Sequence, residues 1–274
     1  MKKNILVILT TYNQSNVTRK CLDTMKLISD HHDILVIDDK STDDTVALCK
    51  EYNVKCITKE VGKGLTDSWN VGYQYFKDNN YDYFVIANND ILIPDNALTE
   101  MKKVLQKWPG SLVVPLSTKL GAGHNEMQII DKWYGNQDEY NEPTNYQIVQ
   151  NQILDLVKKE SESNNLYKFD PVRMKHFNGF FFMMSKDICK YEREDGNLFD
   201  PSFPNIKNED EFNWCNLIPN NDYPFLCRTA FVFHWKGVSF TKAGIKYSNN
   251  LKEHLEQREK ETIEMFHSYW IKFI

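Results

Sequence analysis

The segment Val-Ile-Asp-Asp-Lys-Ser-Thr-Asp-Asp-Thr, residues 36–45, decides the fold of this 274-residue chain. Its first residues end a short run, 33–38, that is apolar and β-branched, as in a strand buried on both faces. Its later residues are polar, and Ser41 or Thr42 suits the cap of a helix that we predict at 41–52. The segment therefore joins a buried strand to a helix.

The same alternation of strand and helix extends on both sides of this segment. We predict further strands at 4–10, 54–58 and 81–87, and helices at 15–28, 65–77 and 94–108. Elements that alternate in this way form a parallel sheet with crossover helices, and ligands bind beyond the carboxyl ends of its strands. The second half is less regular, and its predicted elements are strands 112–115, 177–185 and 225–234 and helices 146–159, 209–217 and 245–268.

The composition is that of a globular protein. Hydrophobic residues make up 41% of the chain and charged residues 26%, and the net charge is −5. There is no chain-wide basic footprint, so nucleic acid is not an expected partner. No apolar run approaches about 18 residues, and the run at 5–9 is too short for a signal peptide, so we predict a cytoplasmic protein. The apolar C-terminal helix predicts docking onto the domain, a homodimer contact or peripheral contact with a membrane surface.

Polar residues follow three of the predicted strands, where a ligand would bind. These residues are Thr10, Tyr12 and Asn13, then Asp38 and Asp39, then Asn88, Asn89 and Asp90. A carboxylate at such a strand end can accept the N3–H of a uracil or thymine ring, and Mg²⁺ or Mn²⁺ favours carboxylate and phosphate oxygens. Taken alone, the same residue types also fit helix caps and Asx turns.

Taken in order, four segments resemble the motifs of the family 2 glycosyltransferases of the GT-A fold. A strand end of the TYN type, a VDDxSTDxT loop, a GxxxxxNxG helix start and a DxD-like metal motif correspond to 10–13, 36–45, 64–72 and 88–90. The likeness continues through 178–179 and 199–211 to 234–239. This resemblance implies an α/β protein of the GT-A fold, with a Rossmann-like, mainly parallel sheet flanked by helices, an acceptor-side insertion and a C-terminal helix.

The resemblance also implies roles for the matching residues. A divalent cation, Mn²⁺ or Mg²⁺, is expected at Asp90 and His234, and the general base is expected to be Asp210, with Glu209 as the second choice. The DxD motif reads Asn-Asn-Asp here, as in members resembling rhamnosyltransferases of surface-polysaccharide synthesis, so Asp90 is its sole carboxylate. The implied nucleotide-binding residues are Thr10, Tyr12, Asn13, Asp38, Asp39, Gly64, Asn70, Asn88 and Asn89, and the acceptor-side residues are Asn178, Gly179 and Trp235. Lys63, between Gly62 and Gly64, is a further candidate because its cation suits a phosphate, and a solvated loop lysine fits the position equally well.

The sequence therefore predicts an inverting, metal-assisted glycosyltransferase. Its expected donor is a UDP- or dTDP-sugar, and its expected acceptor is a hydroxyl of a glycan or lipid-linked glycan. The alternatives are a non-catalytic sugar-nucleotide-binding protein and a nucleotidyltransferase on a similar fold. We predict a nucleotide-sugar-binding half at 1–115, a polar insertion at 116–170, an acceptor-binding and catalytic half at 171–244, and a C-terminal helix at 245–274.

Overall fold

The computed structural model describes residues 4–117, 146–203 and 208–235. The strands in these ranges are β1 (Ile5–Thr11), β2 (Asp33–Asp38), β3 (Lys55–Thr58), β4 (Tyr83–Asn88), β5 (Ile91–Leu92), β6 (Leu112–Leu116), β7 (Val172–Arg173), β8 (Phe181–Ser185), β9 (Pro224–Phe231) and β10 (Phe233–His234). The α-helices are α1 (Ser15–Leu27), α2 (Thr45–Glu51), α3 (Leu65–Asp78), α4 (Ala97–Lys107), α5 (Tyr146–Glu162) and α6 (Asn208–Phe212).

Eight of these strands form one mixed sheet in the order β3-β2-β1-β4-β8-β6-β9-β7. The first four strands are parallel, β8 runs antiparallel between β4 and β6, and β6 and β9 are parallel. Strands β5 and β10 pair separately, as a two-stranded ribbon. The α/β class and the mainly parallel, helix-flanked sheet predicted from the sequence are confirmed.

The sheet is buried on both faces, as the apolar runs predict. In β1, Ile5, Val7 and Leu9 pack in a core with α1, α2 and α4, while Leu6 and Ile8 pack on the opposite side with α3. The α3 side is so close that a Cβ on Gly72 would lie 2.3 Å from Cγ2 of Ile8. This contact explains why a glycine follows Asn70 by two residues.

Several predicted boundaries are wrong, and for α2 the reason is the bonding of polar residues in the preceding loop. Helix α2 begins at Thr45 rather than at 41, because the residues before it form a loop that bonds to the end of β1. Strand β8 begins at Phe181 rather than at 177. The predicted helix 209–217 is α-helical only to Phe212 and continues as a wider turn over Asn213–Leu217.

The structure describes part of the predicted insertion and none of the predicted C-terminal helix. Helix α5 lies within the predicted insertion 116–170 and is joined to β9, because the Gln150 side chain donates to the Thr229 carbonyl (2.8 Å) and accepts from the Phe231 N–H (2.8 Å). The predicted helix 245–274 lies outside the described residues. Among the helices that the structure describes, none has both the length and the apolar composition needed to cross a membrane.

Candidate active site

The predicted polar segments meet at one edge of the sheet. In register, Thr11 of β1 lies beside Asp38 of β2, and Thr10 lies beside Asn88 of β4. Strand β8 runs the other way, so its first residue, Phe181, pairs with Ala87 near the end of β4. The carboxyl ends of the parallel strands therefore share an edge with the segment that leads into β8.

The loops after β1 and β2 are bonded to each other. The Asn13 N–H donates to Oγ of Ser41 (2.7 Å), and the Thr42 N–H donates to Oδ1 of Asn13 (2.8 Å). The Asp38 side chain is buried and accepts from the Ser41 N–H at 3.2 Å. Asn13 has φ 55°, in the left-handed region that asparagine tolerates. Asn13 and Asp38 thus fix the shape of the edge.

Asp39 anchors the loop before α3. Its Oδ1 accepts from the Lys63 N–H and its Oδ2 from the Gly64 N–H, both at 3.0 Å. The Lys59 ammonium, whose side chain is 7% exposed, lies 2.6 Å from Oδ1 of Asp39 and 2.8 Å from Asp67. Gly64 has φ 90°, which favours glycine. Lys59 and Asp67 were missed in the sequence because Lys59 lies outside the motifs and Asp67 occupies a variable position of the segment 64–72.

Two predicted nucleotide-binding side chains are exposed beside this anchored loop. Tyr12 is 53% exposed, and Lys63 is exposed as well. Because Lys63 donates its backbone N–H to Asp39, its side chain extends from a fixed point. A phenol ring and an ammonium group are thus available to a ligand at this edge.

Three other predicted nucleotide-binding residues use their side chains within the fold. The Thr10 hydroxyl donates to the Ala87 carbonyl (3.2 Å), and the Asn89 amide donates to the Thr18 hydroxyl (2.9 Å). The Asn70 side-chain carbonyl accepts from the Leu198 and Phe199 N–H groups, and its amide nitrogen donates to the Phe199 carbonyl. In this structure these residues join elements, and their contact with a nucleotide stays a prediction.

Asp90 and His234 lie side by side, as the resemblance implies. Nε2 of His234 is 3.2 Å from Oδ1 of Asp90, and both side chains are under 10% exposed. The pairing of β5 with β10 places them, and the Trp235 N–H donates to the Asp90 carbonyl (2.9 Å). The Phe180 ring stacks on the imidazole with centroids 4.4 Å apart. The pair is therefore held from two directions.

The atoms around this pair suit a hard divalent cation. Oδ1 of Asn88 is a buried oxygen without a hydrogen-bond partner, and Oδ1 of Asp90, although 3.2 Å from the imidazole, forms no hydrogen bond either. Two adjacent ligands of an octahedral cation with bonds of about 2.1 Å lie about 3.0 Å apart, close to the Asp90–His234 separation. Within the described ranges there is no group of three or more His, Cys, Asp or Glu side chains that could hold a metal. Phosphate oxygens or water would have to complete the coordination.

The two candidate bases on α6 face different neighbours. A Cβ on Gly179 would lie 3.2 Å from Cδ of Glu209 and 3.3 Å from Cη2 of Trp69, so Glu209 packs on the Gly179 backbone. Gly179 directly precedes Phe180, the residue stacked on His234. Asp210 instead lies 3.5 Å from Nδ1 of His176, a residue that sequence reasoning missed. The geometry links Glu209, more than Asp210, to the Asp90–His234 pair.

The remaining predicted acceptor-side residues are placed by the same contacts. Asn178 adjoins Gly179 in the half-buried segment before β8. The Trp235 side chain is buried, with 3% of its surface exposed, and its ring packs edge-on against Phe233. Trp235 is therefore not exposed as a stacking platform for a sugar.

Comparison with known proteins gives a family and a set of similar folds. The profile of the family described as Glycosyl transferase family 2 matches residues 6–189. No curated protein matches the chain.

Three solved structures share the fold at low sequence identity. A mannosyltransferase from Pyrobaculum calidifontis, PcManGT, in complex with GDP-Man and Mn²⁺, has a TM-score of 0.58 at 13% identity, covering 96% of this chain and 65% of that one. GalNAc-T7 with UDP, GalNAc and Mn²⁺ has a TM-score of 0.57 at 16% identity, covering 85% and 44%. TarS of S. aureus has a TM-score of 0.54 at 14% identity, covering 84% and 36%. The chain thus spans less than two thirds of the length of each.

Proposed function

The chain belongs to glycosyl transferase family 2, and from that premise we propose that it moves a sugar from a nucleoside-diphosphate sugar to an acceptor hydroxyl. The observation that carries the proposal is the arrangement along the edge of the sheet. The anchored loops, the buried Asp90–His234 pair and the Glu209 carboxylate all lie near this edge. These are a donor site, a cation site and a base.

The donor nucleotide is proposed to lie against the loops after β1, β2 and β3. Tyr12 offers an exposed ring, and Lys63 offers a cation to a phosphate. The Asp39 carboxylate accepts two backbone N–H groups and contacts Lys59, and it remains partly exposed, with 18% of its side-chain surface accessible. Each carboxylate oxygen has two lone pairs, so Asp39 retains acceptor capacity for the N3–H of uracil or thymine.

The cation is proposed to be Mn²⁺ or Mg²⁺, held by Asp90 and His234 with help from Asn88. Two structures of the same fold contain Mn²⁺, the mannosyltransferase and GalNAc-T7. A bound divalent cation would neutralise the charge that gathers on a diphosphate leaving group. Because only one motif carboxylate is present, we expect cation affinity to depend on the diphosphate.

The transfer itself is proposed to be a single displacement. The acceptor oxygen attacks the anomeric carbon, the bond from that carbon to the diphosphate oxygen breaks, and the hydroxyl proton passes to a carboxylate of α6. Attack from the face opposite the leaving group inverts the anomeric centre. Packing on Gly179 favours Glu209 as this carboxylate, while the sequence favoured Asp210. The glycan or lipid-linked acceptor and a hexose or deoxyhexose donor remain parts of the proposal.

A binding experiment tests the donor and cation sites together. The melting temperature is measured with UDP, dTDP or GDP, each with and without Mn²⁺. A true ligand at a hundredfold excess over its Kd is expected to raise it by about 5–10 °C, and more with Mn²⁺ than without. The matched control is the corresponding nucleoside monophosphate, which lacks the β-phosphate and should gain little from Mn²⁺. No shift with any diphosphate would contradict the proposal.

A product assay separates the enzyme from its alternatives. Incubation with UDP-hexoses or dTDP-rhamnose should release the nucleoside diphosphate slowly by hydrolysis, even without an acceptor. A binding protein would release none, and a nucleotidyltransferase would release pyrophosphate from a nucleoside triphosphate instead. The anomeric configuration of the released sugar, read by NMR at early times, tests inversion.

A further inference from the structure

A second cluster of charged side chains lies buried beneath α6, away from the Asp90–His234 pair. Glu211 is 2% exposed and Asp200 is 1% exposed. Nη1 of Arg193 lies 3.1 Å from Oδ2 of Asp200. The Glu211 carboxyl accepts from the Asp200 N–H and from the Cys215 thiol, while its Oε2 has no hydrogen-bond partner. None of these four residues has a part in the proposed transfer.

The charges of this cluster do not balance when all groups are ionised. Within the described part of the chain, two buried carboxylates face one guanidinium, so their full ionisation places a net negative charge in a buried site, which is costly. Burial, together with the negative charge of Asp200, raises the pKa of Glu211 to about 7, against the opposing effect of Arg193. Among the residues that the structure describes, the groups that face Glu211 are Asp200, Arg193 and Cys215, and the exposed Asp195 lies 3.8 Å from Arg193. One extra proton neutralises the cluster.

Helix α6 connects this cluster to the candidate base. The helix has five residues, Asn208–Phe212. Residues two apart on an α-helix point about 200° from each other, so Glu211 enters the core while Glu209 packs on Gly179. The Phe212 ring adds a contact to Phe199 at 5.1 Å between centroids. Glu211 and Phe212 thus both anchor the end of the helix in the core.

We propose that Glu211 is a positioning residue: its buried carboxyl anchors α6 to the segment 193–200, thereby holds Glu209 against Gly179, and does so best when it carries a proton. The effect on turnover rests on the proposed function, whereas the effect on stability does not. Ionisation of Glu211 would add a negative charge that the Asp200–Arg193 pair does not compensate, and it would loosen the helix.

The sign of the pH dependence follows from proton binding. The folded chain retains a proton on Glu211 to about pH 7, whereas an unfolded chain loses it near pH 4.5. The folded state binds more protons between these values, so this group makes stability fall as pH rises from about 4.5 to 7. Below that window, its contribution is constant.

The first test is direct titration of the wild-type chain. Carboxyl-carbon NMR should show one Glu side chain that titrates near pH 7, absent from Glu211→Gln. If every Glu carboxyl titrates below about pH 5.5, the proposal is overturned. The titration of the wild-type chain gives the main result by itself. It therefore remains decisive even if Glu211→Gln does not fold.

The second test compares Glu211→Gln with Glu194→Gln, which removes an exposed carboxylate from the same region. The amide is neutral at every pH. Relative to wild type, Glu211→Gln should gain on the order of 10²-fold in its folding equilibrium between pH 5 and pH 8, read as a rising difference in melting temperature. Glu194→Gln should show no such rise. Equal pH dependence in both variants would contradict the proposal.

Turnover supplies the readout that a merely structural residue would not change. Donor Kd in Glu211→Gln should match wild type, while the fall of kcat above pH 7 in wild type should be absent or weaker in the variant. An unchanged alkaline fall of kcat would overturn the positioning role. If wild type shows no transfer or hydrolysis at all, the proposed function fails, and the titration and melting data still decide the state of Glu211.

Discussion

The loops after β1, β2 and β3 differ from the region of Asp90, His234 and α6 in what their polar atoms bond. In the loops, Asn13 and Asp39 accept backbone N–H groups of neighbouring loops, and Asp38 accepts one from its own loop. In the second region, Oδ1 of Asp90 and Oε2 of Glu211 are buried without a hydrogen-bond partner. The loops hold their shape before a ligand arrives, whereas the second region keeps oxygen atoms for a ligand or a proton.

This contrast matters because a loop that is still flexible loses conformational entropy when a ligand orders it, whereas a loop already held by the fold does not. Loops that are cross-linked by hydrogen bonds lose little freedom when a nucleotide binds, which favours affinity. Buried oxygens without partners destabilise the fold and are retained where a ligand uses them. We therefore expect variants of the second region to change turnover most, and variants of the loops to change affinity.

The largest effect is expected for the base. Glu209→Gln should lower kcat by roughly 10²–10⁴-fold and leave donor Kd unchanged, because the amide cannot take the acceptor proton. Asp210→Asn is the matched variant on the same helix and should cost far less. Steady-state kinetics and calorimetry of the donor give the two quantities. If Asp210→Asn is the inactive variant instead, Asp210 is the base, and the preference for Glu209 inferred from its contact with Gly179 is wrong.

The second effect concerns the cation. Asp90→Asn should remove stimulation by Mn²⁺ and lower kcat/KM by about 10²–10³-fold, since no other acid stands in its motif. His234→Ala should weaken the stimulation without removing it. Asp78→Asn, an exposed residue at the end of α3, is the control for loss of one carboxylate. Full Mn²⁺ stimulation in Asp90→Asn would place any cation elsewhere.

A smaller effect is expected for Asp39→Ala, which acts on the loops. Loss of its charge-assisted hydrogen bonds should weaken nucleotide binding by about 1.5–3 kcal/mol and leave kcat at saturating donor near wild type. Asp44→Ala is a suitable control, because Asp44 is exposed and makes no side-chain cap hydrogen bond. Calorimetry with UDP and dTDP measures the difference. Unchanged affinity in Asp39→Ala would remove this carboxylate from the donor site and leave Asp38 as the next candidate.

The smallest effect is expected for Asn13→Gly. Glycine tolerates φ 55°, so the variant isolates the lost hydrogen bond to the Thr42 N–H. We expect donor affinity to fall by about 0.5–1.5 kcal/mol. Asn13→Ala adds backbone strain to the same loss and should weaken binding further. If both variants bind the donor as wild type does, the link between the two loops does not contribute to binding.

The sequence by itself determined the order of the elements and the edge that carries the site. Apolar runs of strand length alternate with helices whose apolar residues recur at helical spacing, and both signals are local. The parallel arrangement then required the residues after β1, β2 and β4 to meet, and Thr11, Asp38 and Asn88 do lie in adjacent strands. The pairing of Asp90 with His234 was available only through the family resemblance.

Tertiary structure alone decided what each polar side chain bonds. Asp38 and Asp39 are adjacent, yet one bonds its own loop and the other anchors the loop before α3. On α6, one step along the chain turns a side chain by about 100°, which separates Glu209 at Gly179 from Asp210 at His176. Neighbours such as Phe199, bonded to Asn70 from 129 residues away, are set by packing of distant segments. Residue type and spacing name the candidates, and the fold determines which of them face a ligand.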